Sequence, residues 1–345
     1  MQTNQKELVK MNSCYAVGSI ELLGKEHYIA APDSHGRAVI VDSEKYEVES
    51  IWQEPSGTMS FVNIPGRDGE FLTVQNFFPG YDSRHTILAW CKKHHEAGWI
   101  IKPIIHIPYI HRFDIFQVGN INYLIVCTLC TNKDTEEDWS SPGEIWGGIL
   151  PENPDIAPEI EVIFNKLTKN HGYCKVKTKE IDYALVGCQN GILEIYPPDS
   201  RVNSWRVEQI ACFPVSDVAV CDIDNDGELE YMTIEPFHGD RFIIYKRSGN
   251  DFTKIWEYSE GVKFGHVVWG GIILGTPMFI GGYREGNAEL FSVFMNPRHP
   301  DKFEKLVMDR GKGPANIHVI HGKDKESILV ANHKAGELTL YELKC

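Results

Sequence analysis

The chain has 345 residues, of which 42% are hydrophobic and 24% are charged, and its formal net charge is −14. This composition is that of an ordinary folded globular protein. The negative charge disfavours nucleic acid as a partner, because the surface and a phosphate backbone repel each other. We expect no membrane partner, since no apolar run is long enough to span a bilayer.

The beginning of the sequence and its cysteines favour a cytoplasmic location. Residues 1–8 lack the apolar core of a secretory signal. The nine cysteines are an odd number and stand mostly inside apolar segments, which suits reduced and buried thiols.

One pattern recurs seven times along the chain: a short apolar strand, a turn, a second apolar strand that ends in polar residues, and a third strand. The first strands begin near Cys14, Met59, His111, His171, Asp217, His266 and Asn316, with steps of 45 to 60 residues. Short strands at about this period are typical of a β-propeller, in which each repeat forms one four-stranded sheet. We therefore predict an all-β fold, a seven-bladed β-propeller in one domain over residues 1–345.

The two ends of the chain are predicted to close the ring. The last repeat has three strands and finishes at residues 337–345, while residues 6–11 precede the first blade without a partner of their own. Pairing the N-terminal segment with the last blade would supply the fourth strand and remove an exposed sheet edge.

Histidines recur at one end of the predicted blades. Strands within a blade pair antiparallel, so the start of a first strand and the end of a second strand lie on the same face. The histidines at these two kinds of position are His111, His171, His266, His35, His238 and His333. Imidazoles bind metals and transfer protons near neutral pH, so we expect a functional funnel at this face. The alternative is that each imidazole only satisfies a backbone carbonyl in a narrow channel.

Alternating carboxylates fill the predicted turn of the fifth blade. Asp222, Asp224, Asp226 and Glu230 surround Gly227. Such oxygen ligands can wrap a structural Ca²⁺ ion, and the turn resembles the calcium loops of FG-GAP or VCBS propeller repeats. An aspartate-rich turn without an ion is the alternative. In either case the loop is predicted on the face opposite the histidines.

The third blade carries an unusually long polar connection, residues 131–143. Long loops on a rigid scaffold are often functional. Arg112 and Lys133 could bind an anionic oxygen, and Trp139 offers an apolar face to a sugar ring. In the second blade, the segment 75–85 combines aromatic, amide, arginine and histidine groups that suit polyhydroxyl recognition, although its phenylalanines could equally be packing residues.

Three segments together resemble the propeller dehydratase domain of aldos-2-ulose dehydratases. They are Gln-Asn-Phe-Phe-Pro-Gly-Tyr-Asp-Ser at 75–83, Tyr-Ile-His-Arg-Phe-Asp at 109–114 and Asp-Trp-Ser-Ser-Pro-Gly at 138–143. The resemblance covers mainly residues 70–150. It implies a lyase that removes water from a keto-sugar such as 1,5-anhydrofructose and uses a divalent metal in the propeller. The chain has no cupin-like domain after the propeller, so an isomerase step tied to such a domain is not implied.

The chemistry of a dehydratase agrees with the residues, because it needs a base beside a carbonyl and a cation near the developing oxyanion. We expect His111, Arg112 and Lys133 in the catalytic set. A divalent metal, Mg²⁺, Mn²⁺ or Zn²⁺, is expected on His171, His238 and His266. The expected contacts to a small carbohydrate are Asn76, Tyr81, His85, Trp139 and His333.

Two other functions fit the predicted fold. A non-catalytic propeller would bind a protein or glycan through an exposed apolar rim, whereas the histidines point to a buried funnel. A polysaccharide lyase would need a long groove rich in arginine and lysine, which the net charge of −14 disfavours.

Overall fold

The computed structural model describes residues 2–78, 82–296, 298–322 and 325–344. Their strands form seven antiparallel sheets arranged as the blades of a β-propeller, which confirms the predicted fold. The first three blades comprise β2 (Cys14–Leu22), β3 (Lys25–Pro32), β4 (Ala38–Asp42) and β5 (Val48–Trp52); β6 (Phe61–Asn63), β7 (Glu70–Gln75), β8 (Ile87–His94) and β9 (Gly98–His106); and β10 (Ile110–Val118), β11 (Ile121–Thr128), β12 (Cys130–Asn132), β13 (Ser141–Ile149) and β14 (Ile160–Leu167).

The next three blades continue the same up-and-down order from the axis outward. They comprise β15 (Gly172–Val176), β16 (Tyr183–Cys188), β17 (Gly191–Tyr196) and β18 (Arg206–Ala211); β19 (Asp217–Cys221), β20 (Glu230–Glu235), β21 (Arg241–Ser248) and β22 (Asp251–Tyr258); and β23 (Val262–Ile273), β24 (Thr276–Gly286), β25 (Leu290–Asn296) and β26 (His299–Asp309). No helix in the described ranges is long and apolar enough to cross a membrane.

The seventh blade combines both ends of the chain, as predicted. It comprises β27 (Pro314–His321), β28 (Glu326–Asn332), β29 (Glu337–Lys344) and β1 (Gln2–Lys10). Strand β1 pairs antiparallel with β29 in a register that runs from Gln2 opposite Lys344 to Lys10 opposite Glu337. Val9 and Met11 are buried against the first and seventh blades, so this closure is held by apolar contact as well as by hydrogen bonds.

The hydrophobic core lies between the blades rather than at one centre. Each pair of neighbouring blades encloses its own cluster of buried side chains in the described part of the chain. Because these faces are flat and apolar, the sheets stack around an axis and leave a narrow channel there. The channel is where polar side chains from distant repeats can meet.

A shared backbone feature directs side chains into this channel. In six blades, a residue with positive φ stands two positions before a residue near the start of the innermost strand, and in five of them that second residue lines the channel mouth. The six pairs are Ser13 and Tyr15, Gly57 and Met59, Tyr109 and His111, Lys169 and His171, Phe264 and His266, and Gly313 and Ala315. At Tyr15, His111 and His266 the pairing register also shifts, so each of these residues has no cross-strand partner. Such bulges re-aim a side chain at the rim of a sheet.

Candidate metal and active site

A cavity of about 350 Å³ opens at the channel mouth. Its wall includes the predicted His111, His171, His238 and His266, which come from the third to sixth blades. The ring centroids of His111 and His171 lie 4.5 Å apart, and those of His171 and His238 lie 4.7 Å apart. The predicted convergence of distant imidazoles therefore occurs in this structure.

Three of these imidazoles are held by carbonyls of the following blade. The Nδ1 atoms of His111 and His171 lie 3.2 Å from the carbonyl oxygens of His171 and Ser216, respectively. The Nδ1 atom of His266 lies 2.6 Å from the carbonyl oxygen of Ala315. A carbonyl can only accept, so Nδ1 carries the proton and Nε2 keeps its lone pair. The alternative considered from the sequence was that each imidazole only hydrogen-bonds a backbone carbonyl. These hydrogen bonds are present, but each of them uses only the Nδ1 atom of the ring.

His238 reaches the cluster from the connection after β20. Its ring is stacked between Phe237 and Phe264, with centroid distances of 4.1 and 4.3 Å. Its backbone nitrogen donates to Ser216 Oγ at 3.1 Å. This clamp places His238 Nε2 at 3.2 Å from His171 Nε2.

The imidazoles are kept neutral by their surroundings. Burial, followed by neighbouring positive groups, lowers the pKa of His111, His171 and His266 well below the ordinary value. Burial also lowers the pKa of His238 to about 3. Neutral imidazole is the form that binds a metal, so the histidine cluster is ready to act as a ligand set at neutral pH.

The ligand geometry suits a divalent cation. His171, His238 and His266 each offer a ring nitrogen, and these atoms all lie within 4.8 Å of one another. Carbonyl hydrogen bonds from the other ring nitrogens are the usual outer support of metal-binding histidines. Three protein ligands leave a position for water or substrate, as catalytic zinc sites do.

Cations and aromatic rings form the wall beside the histidine cluster. Lys133 is buried, and burial lowers the pKa of its ammonium group. Its Nζ lies 3.6 Å from the centroid of the Trp139 ring and donates to the carbonyl of Glu136. Lys169 Nζ lies 5.3 Å from the same ring. The long third-blade loop therefore supplies the predicted Lys133 and Trp139 to the cavity.

His333 supports the opposite wall. Its Nε2 donates to Asp33 Oδ2 at 3.0 Å, and its Nδ1 accepts from Arg284 Nη2 at 2.7 Å. Asp33 and Arg284 line the cavity, whereas His333 lines the neighbouring depression. The structure therefore places His333 behind the cavity wall rather than in it.

Arg112 contributes positive charge from within the channel. Its Nη1 donates to the carbonyl of Met59 at 3.3 Å, and its charge helps to lower the pKa of His111 and His266. Farther along, burial raises the pKa of Asp217 to about 7, while its Oδ1 accepts from the backbone nitrogens of Tyr173 and Val218. Asp217 links the fourth and fifth blades, and Ser216 is the residue equivalent to His171.

Two of the second-blade residues predicted for sugar binding, Asn76 and His85, lie outside the cavity. Asn76 has a positive φ, and its backbone nitrogen donates to Ser56, while His85 is exposed. Tyr81 lies outside the described residues. The segment instead contributes Phe77 to the cavity wall, and Arg84 donates to the Lys133 carbonyl and so braces the long loop.

The cavity residues that were not predicted include Tyr15, Lys169, Phe237, Phe264 and Arg284. Signals for them exist in the sequence. Tyr15 is the first-blade equivalent of His111, and Lys169 and Phe264 are the positive-φ residues two positions before a predicted histidine. Phe237 directly precedes His238.

The acidic turn of the fifth blade contains an internal cation. Lys246 Nζ lies 2.7 Å from Asp224 Oδ2 and 3.3 Å from Glu230 Oε1, and it also contacts Asp226. Asp222 Oδ2 accepts from the backbone nitrogen of Gly227 at 3.1 Å. One ammonium group therefore contacts three of the four carboxylates predicted to bind a structural ion, and Asp222, Asp224 and Asp226 still offer oxygen atoms within 4.8 Å of one another.

Comparisons with solved structures agree with the fold. The Swd1 β-propeller domain of Myceliophteria thermophila is 10% identical with a TM-score of 0.61, over 99% of this chain and 100% of that chain. The PQQ-bound aldose sugar dehydrogenase of Streptomyces coelicolor is 12% identical with a TM-score of 0.50, over 99% and 98%. A luciferin-regenerating enzyme is 9% identical with a TM-score of 0.52, over 100% and 96%.

These identities are low, so the similarity concerns the fold alone. No protein-family model matches the chain. No curated protein matches it either.

Proposed function

We propose that this chain is a divalent-metal-dependent hydro-lyase that removes water from a keto-sugar or an anhydro-keto-sugar. The observation that carries the proposal is the convergence of His171, His238 and His266 at the wall of a cavity lined by cations and aromatic rings. The resemblance of residues 70–150 to propeller dehydratases and the structural similarity to an aldose sugar dehydrogenase support a carbohydrate substrate.

One distance in the cluster fits two ligands of a tetrahedral ion. The Nε2 atoms of His171 and His238 lie 3.2 Å apart. Two nitrogens on a tetrahedral zinc ion are separated by about 3.3 Å, given Zn–N bonds of about 2.0–2.1 Å. Imidazole ligands favour zinc over magnesium, which prefers oxygen, so zinc is the first candidate among the three metals. When bound, the ion would act as a Lewis acid toward a substrate oxygen.

His111 is the proposed general base. Its Nδ1 is engaged by the His171 carbonyl, so Nε2 is the nitrogen available to accept a proton. Its lowered pKa keeps it unprotonated at neutral pH. In the reaction, the C–H bond beside the substrate carbonyl breaks, its proton passes to His111, and its electron pair forms the new C=C bond. The C–O bond to the adjacent hydroxyl breaks, and the hydroxide leaves as water with that proton.

Lys133 and Trp139 would position the sugar. The Lys133 ammonium is buried and already held over the Trp139 ring, so it can face a developing oxyanion without further ordering. Arg112 adds positive charge deeper in the channel, where it lowers the pKa of the histidines. Trp139 presents its apolar ring at the cavity.

The proposal is tested by metal analysis and by an assay for elimination. The purified protein should contain a divalent metal, and incubation with 1,5-anhydrofructose or another keto-sugar should give an ultraviolet-absorbing enone. Treatment with a chelator should abolish product formation, and added Zn²⁺ or Mn²⁺ should restore it. Protein that carries no divalent metal and forms no enone from any keto-sugar would refute the proposal.

A further inference from the structure

We infer that the cavity selects a sugar carrying an oxyanion, a carboxylate or a phosphate, in addition to its neutral hydroxyls. This inference rests on the proposed function, since it names the substrate class of the same site. It starts from three cations in the cavity wall, Lys133, Lys169 and Arg284.

None of these three cations forms an ion pair with a carboxylate among the residues that the structure describes. Lys133 donates to a backbone carbonyl, and Arg284 donates to His333. Lys169 contacts the faces of Trp139 and Phe237, at 5.3 and 5.2 Å. Most other buried or half-buried basic groups here have an acidic partner, such as Lys312 with Glu337 and Arg247 with Glu194.

Aromatic faces hold the cations without cancelling their charge. Arg284 lies 4.9 Å from the centroid of Phe264, and Lys133 lies 3.6 Å from that of Trp139. A cation–π contact fixes the position of a cation and leaves its positive field directed at the open side. The three cations therefore line the cavity and retain their charge.

Three carboxylates also line the cavity, and the charges of Glu136 and Glu137 act on Lys133, but solvent screens these two because they are exposed. The third, Asp33, is engaged by His333. A divalent ion on the histidine cluster would add further positive charge. Partly buried positive charge without an ion-pair partner is unfavourable, so an anionic ligand would stabilise these cations. The field is local, because the chain as a whole carries a net charge of −14.

The inference is tested by calorimetric binding to chelator-treated protein, so that neither a metal nor turnover contributes. The probes are D-glucose, D-gluconate and D-glucose 6-phosphate. We expect at least one of the two anions to bind about tenfold or more tightly than glucose, the contribution of one charge-assisted hydrogen bond. If only gluconate binds more tightly than glucose, the site selects a carboxylate. If only glucose 6-phosphate does, the site selects a phosphate, and if both do, it accepts oxyanions in general.

Two variants establish where the preference arises. Arg284→Gln removes one cation, and Lys169→Asn removes another while keeping a residue that tolerates the positive φ of 53°. Each should reduce anion binding by roughly tenfold and leave glucose unchanged. Lys177→Gln, at an exposed site outside the cavity, is the control.

Equal binding of glucose and both anions, no measurable binding of either anion, or an anion preference that both variants keep would overturn the inference. The outcome is separable from that of the proposed function. If the protein contains a metal and dehydrates a neutral keto-sugar but shows no preference for anions, only this inference is refuted. If the protein contains no metal but binds anions preferentially, only the proposed hydro-lyase activity is refuted.

Discussion

The Nε2 atoms of His171 and His238 lie 3.2 Å apart, although the residues are 67 positions apart in the chain. The His171 proton is on Nδ1, which faces the Ser216 carbonyl, so its Nε2 presents a lone pair. A neutral His238 that carries its proton on Nε2 donates to this lone pair, whereas a cation bound by both nitrogens would require the His238 proton on Nδ1. The Ser216 carbonyl holds the His171 ring and the stacking of Phe237 and Phe264 holds the His238 ring, so the two nitrogens are positioned close enough to share a proton or a bound ion.

Acid–base and ligand roles within the cluster should separate by mutation. His111→Gln should retain metal and lower the rate of elimination by about 10²–10⁴-fold, the usual contribution of a general base. His266→Gln should lower both metal content and activity, since His266 is a proposed ligand. Metal analysis and enone formation, measured on both variants, make the distinction. A fully active His111→Gln variant, or one without metal, would show that the roles are misassigned.

Ring closure should contribute measurably to stability. Deleting residues 1–11 removes β1 and the buried Val9 and Met11. Burial of two such side chains is worth about 1.5–3 kcal/mol each, so we expect a clear drop in melting temperature. Glu7→Gln, an exposed change on the same strand, is the control and should shift stability by about 0.5 kcal/mol at most. An unchanged melt after the deletion would contradict the closure.

His318 should make stability depend on pH. Burial lowers its pKa to about 4, and its Nε2 lies 3.0 Å from Ser19 Oγ across the junction of the first and seventh blades. An unfolded histidine has a pKa of about 6.5. Below that pH the unfolded chain binds a proton that the folded chain does not bind. The contribution of His318 to the free energy of unfolding is therefore largest above about pH 6.5 and decreases as the pH falls to about 4.

Urea unfolding at about pH 7 and about pH 5 measures this effect. His318→Gln should weaken the pH dependence, and His95→Gln, an exposed histidine, should leave it as in the parent protein. If the His318 and His95 variants respond alike, the buried neutral imidazole is not the cause.

The acidic turn should depend on Lys246 rather than on calcium. Lys246→Met leaves Asp224, Asp226 and Glu230 without their ammonium group, so we expect a lower melting temperature that added Ca²⁺ raises. Lys254→Met, on the next strand of the same blade, is the control. A parent protein whose melting temperature rises with Ca²⁺ would show instead that the turn binds an ion alongside the lysine.

The repeat pattern in the sequence was sufficient to predict the seven-bladed architecture and the clustering of the imidazoles. Antiparallel pairing places strand starts and strand ends on one face, which brings His171, His238 and His266 together. Register was harder to predict, because the fifth blade presents Ser216 where the alignment had Asp217. A one-residue shift is invisible in apolar periodicity when several neighbouring residues are buried.

The substrate contacts could not be read from composition. His85 follows a segment rich in recognition-type residues and is nevertheless exposed, because the second-blade loop contributes Phe77 and the Arg84 brace. Arg284 stands at the end of a second strand and Lys169 just before a first strand, and nothing in the sequence distinguishes either from a paired surface cation. That neither forms an ion pair with a carboxylate in the described part of the chain is a property of three-dimensional packing.

The metal content of the purified protein tests the central claim most directly. Elemental analysis of the parent protein, His238→Gln and the His95→Gln control should give about one divalent ion per chain in the parent and the control. The His238 variant should retain far less, because it loses one of three nitrogen ligands. Equal metal content in all three proteins, or a parent protein that takes up no divalent metal even when Zn²⁺ is supplied, would contradict the account.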